Sequence, residues 1–330
     1  MSVVVTGAAG FIGRHVVRTL LRRGCAVTGI DRRPWVPAVG ESMVVADLAD
    51  PDERVDPIFE RSTGVVHLAG RAGVRDRRAD VATSRWRDNV VAGERVLEAT
   101  PPDVMVVVAS SSSVYGGAGS RQRPHACHED APLRPLGGYA RSKRALEQRC
   151  ALRAERGGMV GVVRPFTVAG EGQRPDMAIS IWIAALRAGR AVELFGSGAR
   201  RRDVTDVRDV AEGIVRMLDR RVTRTVNLGT GTSHRLDDLL ATVVQVCGVD
   251  PAIAVQPALA EDVATTRADV RRCRDLLGFV PVTDLPALVA RQMAATPAGA
   301  DPASARAAAV PAALAATSTM TGTITTRSTP

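Results

Sequence analysis

Tyr139 and Lys143 stand four residues apart in Tyr139-Ala140-Arg141-Ser142-Lys143, and each is a rarity in this chain. Of 44 basic residues Lys143 alone is lysine, and Tyr115 is the only other tyrosine. On a helix, positions i and i+4 share a face, so this spacing predicts that phenol and ammonium open into one cleft. A nearby cation favours phenolate and lowers a pKa that is otherwise about 10. A tyrosine tuned in this way can take the proton of a substrate hydroxyl near neutral pH. A structural ion pair could have used arginine, whereas a planar guanidinium does not replace a compact ammonium.

A second constellation, Gly7-x-x-Gly10-x-x-Gly13, lies between an apolar run and a helical pattern. Glycines there let the backbone approach a pyrophosphate whose charge then rests on the helix N-terminus. Asp31 closes the next apolar run, where a carboxylate accepts from the adenosine ribose hydroxyls and repels a 2′-phosphate. That favours NAD over NADP, although Arg32 and Arg33 follow at once and could meet a phosphate. Asp47, after the third run, could face the adenine or cap a helix. The serine-rich stretch Ser110-Ser111-Ser112-Ser113-Val114-Tyr115-Gly116 follows a strand-like run, the place where open α/β sheets bind ligands. A hydroxyl there could hold the oxygen that the tyrosine deprotonates.

These groups need a scaffold, and the apolar runs supply its outline. Runs at 3–6, 26–30, 43–46, 65–69, 104–109, 160–163 and 226–228 are continuous rather than alternating, as in parallel strands buried on both faces. Helical patterns cover 15–23, 84–99 and 139–156 between them. Beyond residue 165 helices are expected at 177–188, 208–218, 236–247, 269–277 and 285–295, with a short strand at 191–195. The expected fold is α/β, a Rossmann doubly wound parallel sheet with a smaller, interleaved C-terminal substrate domain. Residues 1–165 form the NAD-binding domain, with return segments near 203–230. The segments 166–202 and 231–295 form the substrate region, and the Ala/Thr/Pro-rich stretch 296–330 reads as a disordered tail.

Composition narrows the field. Hydrophobic residues at 45% and charged residues at 24% suit an ordinary soluble globular protein, and no apolar run approaches a membrane span. The start lacks a signal-type pattern, so a cytoplasmic location is expected. Five scattered cysteines without a C-x-x-C pair fit reduced thiols, and no metal site is expected, His125-Ala126-Cys127-His128 included. The net charge of +9 comes from arginines spread among acids rather than from a basic block, which speaks for phosphate-bearing small molecules and against nucleic acid.

Taken together, Thr6-Gly7-Ala8-Ala9-Gly10-Phe11-Ile12-Gly13, His67-Leu68-Ala69-Gly70, the Ser110–Gly116 run, Tyr139-x-x-x-Lys143, Phe195-Gly196-x-Gly198 with Arg202-Asp203, Asn227-Leu228-Gly229 and Leu276-Leu277-Gly278-Phe279 resemble one family. It is that of the extended short-chain dehydrogenases/reductases, the NAD-dependent nucleotide-sugar epimerases and dehydratases, over residues 1 to about 295. The resemblance implies NAD as cofactor, held by Gly7, Gly10, Phe11, Ile12, Gly13, Asp31, Arg32, Asp47, Leu48, Leu68, Ala69, Gly70, Tyr139 and Lys143. It implies Ser111, Tyr139 and Lys143 as the catalytic set, a nucleotide-sugar substrate and a homodimer. Arg202 would contact the nucleotide diphosphate, with Asp262 nearby.

Related 4,6-dehydratases carry Asp-Glu after the catalytic hydroxyl, and related decarboxylases keep the glutamate. Here Ser112 and Ser113 stand there, which leaves epimerisation favoured. The stretch 166–177 is similar to that of UDP-glucuronate 4-epimerases, which gives Thr167 and Arg174 a carboxylate-binding role; for Arg174 a phosphate is an equal alternative. Arg75 is a further candidate near the sugar. The chain departs from the family's pattern at Ala169 (usually Tyr), Glu171 (usually Pro) and Leu259 (commonly Arg). The expected activity is therefore 4-epimerisation of a UDP-glucuronate or UDP-glucose type substrate through a transient 4-keto sugar. A nucleotide-sugar 4-ketoreductase and a non-catalytic dinucleotide-binding sensor are the alternatives.

Overall fold

The computed structural model describes residues 1–73, 80–119, 125–257 and 262–296. The chain opens with β1 (Ser2–Thr6), α1 (Phe11–Arg22), β2 (Ala26–Asp31), β3 (Glu41–Val45), α2 (Asp56–Glu60) and β4 (Gly64–His67). It continues through α3 (Val81–Trp86), α4 (Ala92–Ala99), β5 (Met105–Ala109), α5 (Gly137–Glu155) and β6 (Val160–Pro165). A seventh strand, Thr225–Leu228, returns much later and pairs in parallel with β6. The sheet order is the late strand, β6, β5, β4, β1, β2, β3, and every pairing is parallel. Strand order reverses beside β1, and at such a switch point the carboxyl ends of the strands open a crevice for ligand.

Burial explains why the apolar runs are unbroken. β4, β5 and β6 are buried at every residue. One face packs on α1, α7 (Val207–Asp219) and α9 (Arg271–Leu277), through Val16, Leu20, Ile214, Met217, Leu218 and Leu277. The other packs through Phe59, Val96, Leu97, Leu146 and Cys150. β3 departs from the both-faces expectation. It is the sheet edge, and its Met43 and Val45 are exposed.

The expected helix over 84–99 is two helices, α3 and α4, joined by a widened π-type turn at Arg87–Val91. Such a turn inserts an extra residue and re-aims side chains, here the buried Asp88 and Asn89, which both accept from Arg71. A third cluster joins α6 (Ala178–Arg187), α8 (Leu236–Cys247) and α10 (Leu285–Ala295) around Trp182, Ile183, Leu240 and Leu288. Small paired strands tie this region to the rest, Thr167–Ala169 with Val204–Asp206 and Arg201–Arg202 with His234–Arg235. Among the described residues no helix is long and apolar enough to cross a membrane, and all five cysteines are free.

Candidate active site

The glycine turn is a close-packed joint. A Cβ on Gly13 would lie 2.1 Å from the Gly7 carbonyl oxygen, and one on Gly10 would lie 2.9 Å from the same atom. Gly7 has φ +70°, and its missing Cβ would come within 2.7 Å of the Ala69 nitrogen. The turn that starts α1, with Phe11 and Ile12 as its first residues, therefore abuts the segment Leu68-Ala69-Gly70 after β4. A backbone this bare at a helix N-terminus suits a pyrophosphate.

Asp31 ends β2 with a nearly buried carboxylate, whose Oδ1 accepts from the Arg33 amide at 3.1 Å. Arg32 turns away from it. Its Nη1 donates to Asp88 Oδ2 at 3.0 Å, which also accepts from Arg71 Nε at 2.9 Å. Asp47 caps no helix. It closes a local turn through the Ala49 amide at 3.1 Å and pairs with Arg87 Nη1 at 3.0 Å. Those bonds outweigh its partial burial and hold its carboxyl below the usual range. Leu48 beside it is buried. The set fits a dinucleotide, with a close-packed glycine turn and, at the end of β2, a carboxylate that could accept from ribose hydroxyls. Of the two arginines that could meet a 2′-phosphate, Arg32 is engaged by Asp88, while Arg33 is exposed, its Nε 3.6 Å from Asp31 Oδ1.

Lys143 is buried beneath Gly70, where an added Cβ would meet its Nζ at 3.5 Å and Asn89 Oδ1 at 2.6 Å. Its Nζ donates to the Ala109 carbonyl at the end of β5, 2.8 Å away. Desolvation pulls the ammonium down to about 8. Asn89 was not singled out from sequence. Its Oδ1 accepts from the Arg71 amide at 2.7 Å and its Nδ2 donates to Ser142 Oγ at 2.8 Å, which fastens the Gly70 loop to α5.

Tyr139 sits in the first turn of α5, and Ser111 is the group that most opposes the rise that burial imposes on its phenol. Ser111 Oγ accepts from the Ser113 amide at 3.2 Å, which fixes the short turn that follows β5. The expectation that Lys143 makes this phenol acidic needs correction. Burial raises the Tyr139 pKa, and the groups that oppose the rise are Ser111, Arg174 and Arg85, with the ammonium facing a carbonyl instead. Ser110 and Ser113 hydroxyls are buried with no hydrogen-bond partner. Orphaned donors in a crevice are what a polar ligand would satisfy.

Arg174 reaches this cluster from the loop after Thr167–Ala169, and its guanidinium grips Asp176 at 2.6 and 2.9 Å. Thr167 lies on the facing strand, half-buried. Arg202, on the strand Arg201–Arg202, and Asp262 approach to 3.9 Å. Arg75 and Leu259 lie outside the described residues. Of the departures, Ala169 is packed into the third cluster, and Glu171 pairs with Arg208 and with Arg291. Tyr115 takes no part in the crevice. Its hydroxyl donates to Asn227 Oδ1 at 2.8 Å and accepts from Arg164 at 2.9 Å, a buried structural knot. Among the described residues no cluster of His, Cys, Asp or Glu could hold a metal. Arg85, nearly buried on α3 and close to Tyr139, also escaped the sequence reading, because it stands in an ordinary amphipathic run with no motif around it.

Comparison with known proteins places the chain in a family. The model of the NAD dependent epimerase/dehydratase family matches residues 3–229. A UDP-glucuronate 4-epimerase of Thermodesulfobacterium geofontis is 30% identical over 84% of this chain and 90% of its own. An uncharacterized UDP-glucose epimerase, YtcB of Bacillus subtilis, is 30% identical over 86% and 94%. Among solved structures, MoeE5 in complex with UDP-glucuronic acid and NAD superposes with a TM-score of 0.81 at 37% identity, covering 89% of this chain and 98% of that one. The Bacillus cereus UDP-glucuronic acid 4-epimerase bound to UDP-glucuronic acid and NAD has the same TM-score and coverage at 26% identity.

Proposed function

Because the chain belongs to the NAD-dependent epimerase/dehydratase family, we propose that it binds NAD and inverts C4 of a UDP-hexuronate or UDP-hexose through a transient 4-keto sugar. The observation that carries this reading is the placing of Ser111, at the carboxyl end of β5, and Tyr139, in the first turn of α5, beside orphaned serine hydroxyls and the buried Lys143. The Gly7–Gly13 turn would hold the pyrophosphate, Asp31 the adenosine ribose and Lys143 the nicotinamide ribose. NAD bound there supplies a hydride acceptor that returns what it takes, so no net redox occurs. Tyr139 removes the 4-hydroxyl proton, and Ser111 donates to the C4 oxygen. Arg174, Thr167, Ser112 and Ser113 orient the C5 substituent; Arg174 suits a carboxylate, which favours a hexuronate. Arg202 and Asp262 line the path to the nucleotide diphosphate.

The two-domain division belongs to the same proposal, with residues 1–165 and the 203–230 return serving the cofactor and the remainder to 295 the sugar. So does a homodimer, for which the exposed Trp86, Val91, Leu136 and Leu152 on the α3–α5 side offer apolar surface. A cytoplasmic location accords with the five free cysteines. The test is incubation with NAD and a panel of UDP- and dTDP-sugars, read by NMR. Axial–equatorial exchange at C4 without net formation or loss of reduced nicotinamide supports the reading. Stoichiometric consumption of reduced nicotinamide with a 4-keto substrate assigns a ketoreductase instead, and dinucleotide binding with no turnover of any sugar assigns a sensor.

A further inference from the structure

Asp88, nearly buried in the π-type turn, accepts from three guanidiniums. Its Oδ2 takes Arg32 Nη1 at 3.0 Å and Arg71 Nε at 2.9 Å, and its Oδ1 takes Arg87 Nη1 at 3.2 Å. Arg32 follows Asp31, the last residue of β2, and Arg71 lies just past the end of β4. β1 stands between those two strands and leads into the Gly7–Gly13 turn. One carboxylate therefore joins the two sides of the crevice that flank the glycine turn. Its partners differ in what else holds them. Arg87 also pairs with Asp47 at 3.0 Å and Asp50 at 2.8 Å, whereas Asp88 is the acid that Arg32 and Arg71 contact. Arg33, the remaining arginine beside Asp31, has its Nε 3.6 Å from that carboxylate. A 2′-phosphate beside Asp31 needs cations to offset the repulsion, and here Arg32, Arg33 and Arg71 each face a carboxylate instead.

Resting on the reading of Asp31 as the carboxylate that meets the adenosine ribose, we propose that Asp88 is a specificity-determining residue for the cofactor. By claiming Arg32 and Arg71 it withholds the cations that a 2′-phosphate would use, and so sharpens the preference for NAD over NADP. Asp31 repels the phosphate, and Asp88, brought in from a distant turn, denies it rescue. The switch lies in Arg32, which is exposed and next in the chain to Asp31. Released from Asp88, its side chain is free to swing a planar guanidinium with five donors toward the ribose, the geometry that suits a phosphate.

Asp88→Asn keeps the size and an acceptor oxygen but removes the charge. Calorimetry on dinucleotide-stripped protein gives the dissociation constants of NAD and NADP, with 5′-AMP and adenosine 2′,5′-bisphosphate as probes of the phosphate alone. Asp88→Asn is expected to lower the NADP-to-NAD ratio of dissociation constants by about ten- to a hundredfold, the gain of one or two charge-assisted bonds. The bisphosphate should gain on AMP in step. Asp88→Asn combined with Arg32→Gln should lose most of that gain, while Arg32→Gln alone should leave the ratio within about twofold of wild type. A ratio unmoved in Asp88→Asn overturns the proposal, as does a gain that survives whole in the double variant. So does a loss of about tenfold in NADP affinity in Arg32→Gln alone, which would mean that Arg32 already meets the phosphate. That last arm leaves Asp88 in place, so it can overturn the proposal even where Asp88→Asn fails to fold. Failure of the ribose assignment reads differently: Asp31→Asn would then bind NAD and NADP as wild type does.

Discussion

Lys143→Met should stabilise the cofactor-free protein while it destroys catalysis. Burial lowers the folded-state ammonium from 10.5 to about 8, and that difference corresponds to roughly 3 kcal/mol of penalty near neutral pH. Methionine fills a similar volume without charge but cannot donate to the Ala109 carbonyl, a loss of about 1 kcal/mol. The net expectation is a gain of roughly 2 kcal/mol near pH 7. The sign reverses with pH in a defined way. The folded value lies below the unfolded one, so between about 8 and 10.5 the unfolded chain holds more protons and wild-type stability rises with pH. The advantage of Lys143→Met therefore shrinks through that window and is gone by its upper end. Urea unfolding of the two dinucleotide-stripped proteins, followed by circular dichroism at neutral and alkaline pH, measures this directly. A variant less stable than wild type near neutral pH, or a gap that ignores pH, would refute the claim that Lys143 is held as a strained buried cation awaiting its ligand.

Other consequences are quicker to check. Gly13→Ala places a Cβ where the Gly7 carbonyl oxygen stands, so the variant should purify without dinucleotide, as scored by acid release and absorbance; retention at wild-type stoichiometry would contradict the proposed cofactor site. Arg174→Met should raise KM for UDP-glucuronate by roughly ten- to a hundredfold and change UDP-glucose far less, the loss expected for a charge-assisted pair; equal effects on both would assign Arg174 to the diphosphate. Ser113→Ala removes a buried hydroxyl that has no partner, so unfolding should move by less than about 0.5 kcal/mol while KM rises, and a large loss of stability would show a structural bond instead.

Much of the site was legible because its chemistry is local in sequence. The glycine turn, the Ser111 turn and the Tyr139–Lys143 pair each lie within a handful of residues, and periodicity placed α8 and α10 with the observed bounds. The late strand was legible from its β-branched composition alone. What the sequence did not disclose comes from side chains that converge from far apart. Asn89 and Arg85 gain meaning from a π-type turn and from the packing of α3 on α5, neither of which leaves a periodic signal. β3 read as buried because its composition is apolar, whereas its place at the sheet edge is a property of topology. The direction of the Lys143 ammonium likewise depends on a carbonyl 34 residues upstream, so helical spacing predicted a shared face but not a contact with the phenol.

The most direct trial of the account is turnover of UDP-glucuronate by Tyr139→Phe beside wild type, with C4 stereochemistry read by NMR. Removing the hydroxyl while leaving the ring should preserve the fold and bound dinucleotide and slow inversion at C4 at least a hundredfold, the contribution expected of a general base. Inversion at a rate near that of wild type would contradict it.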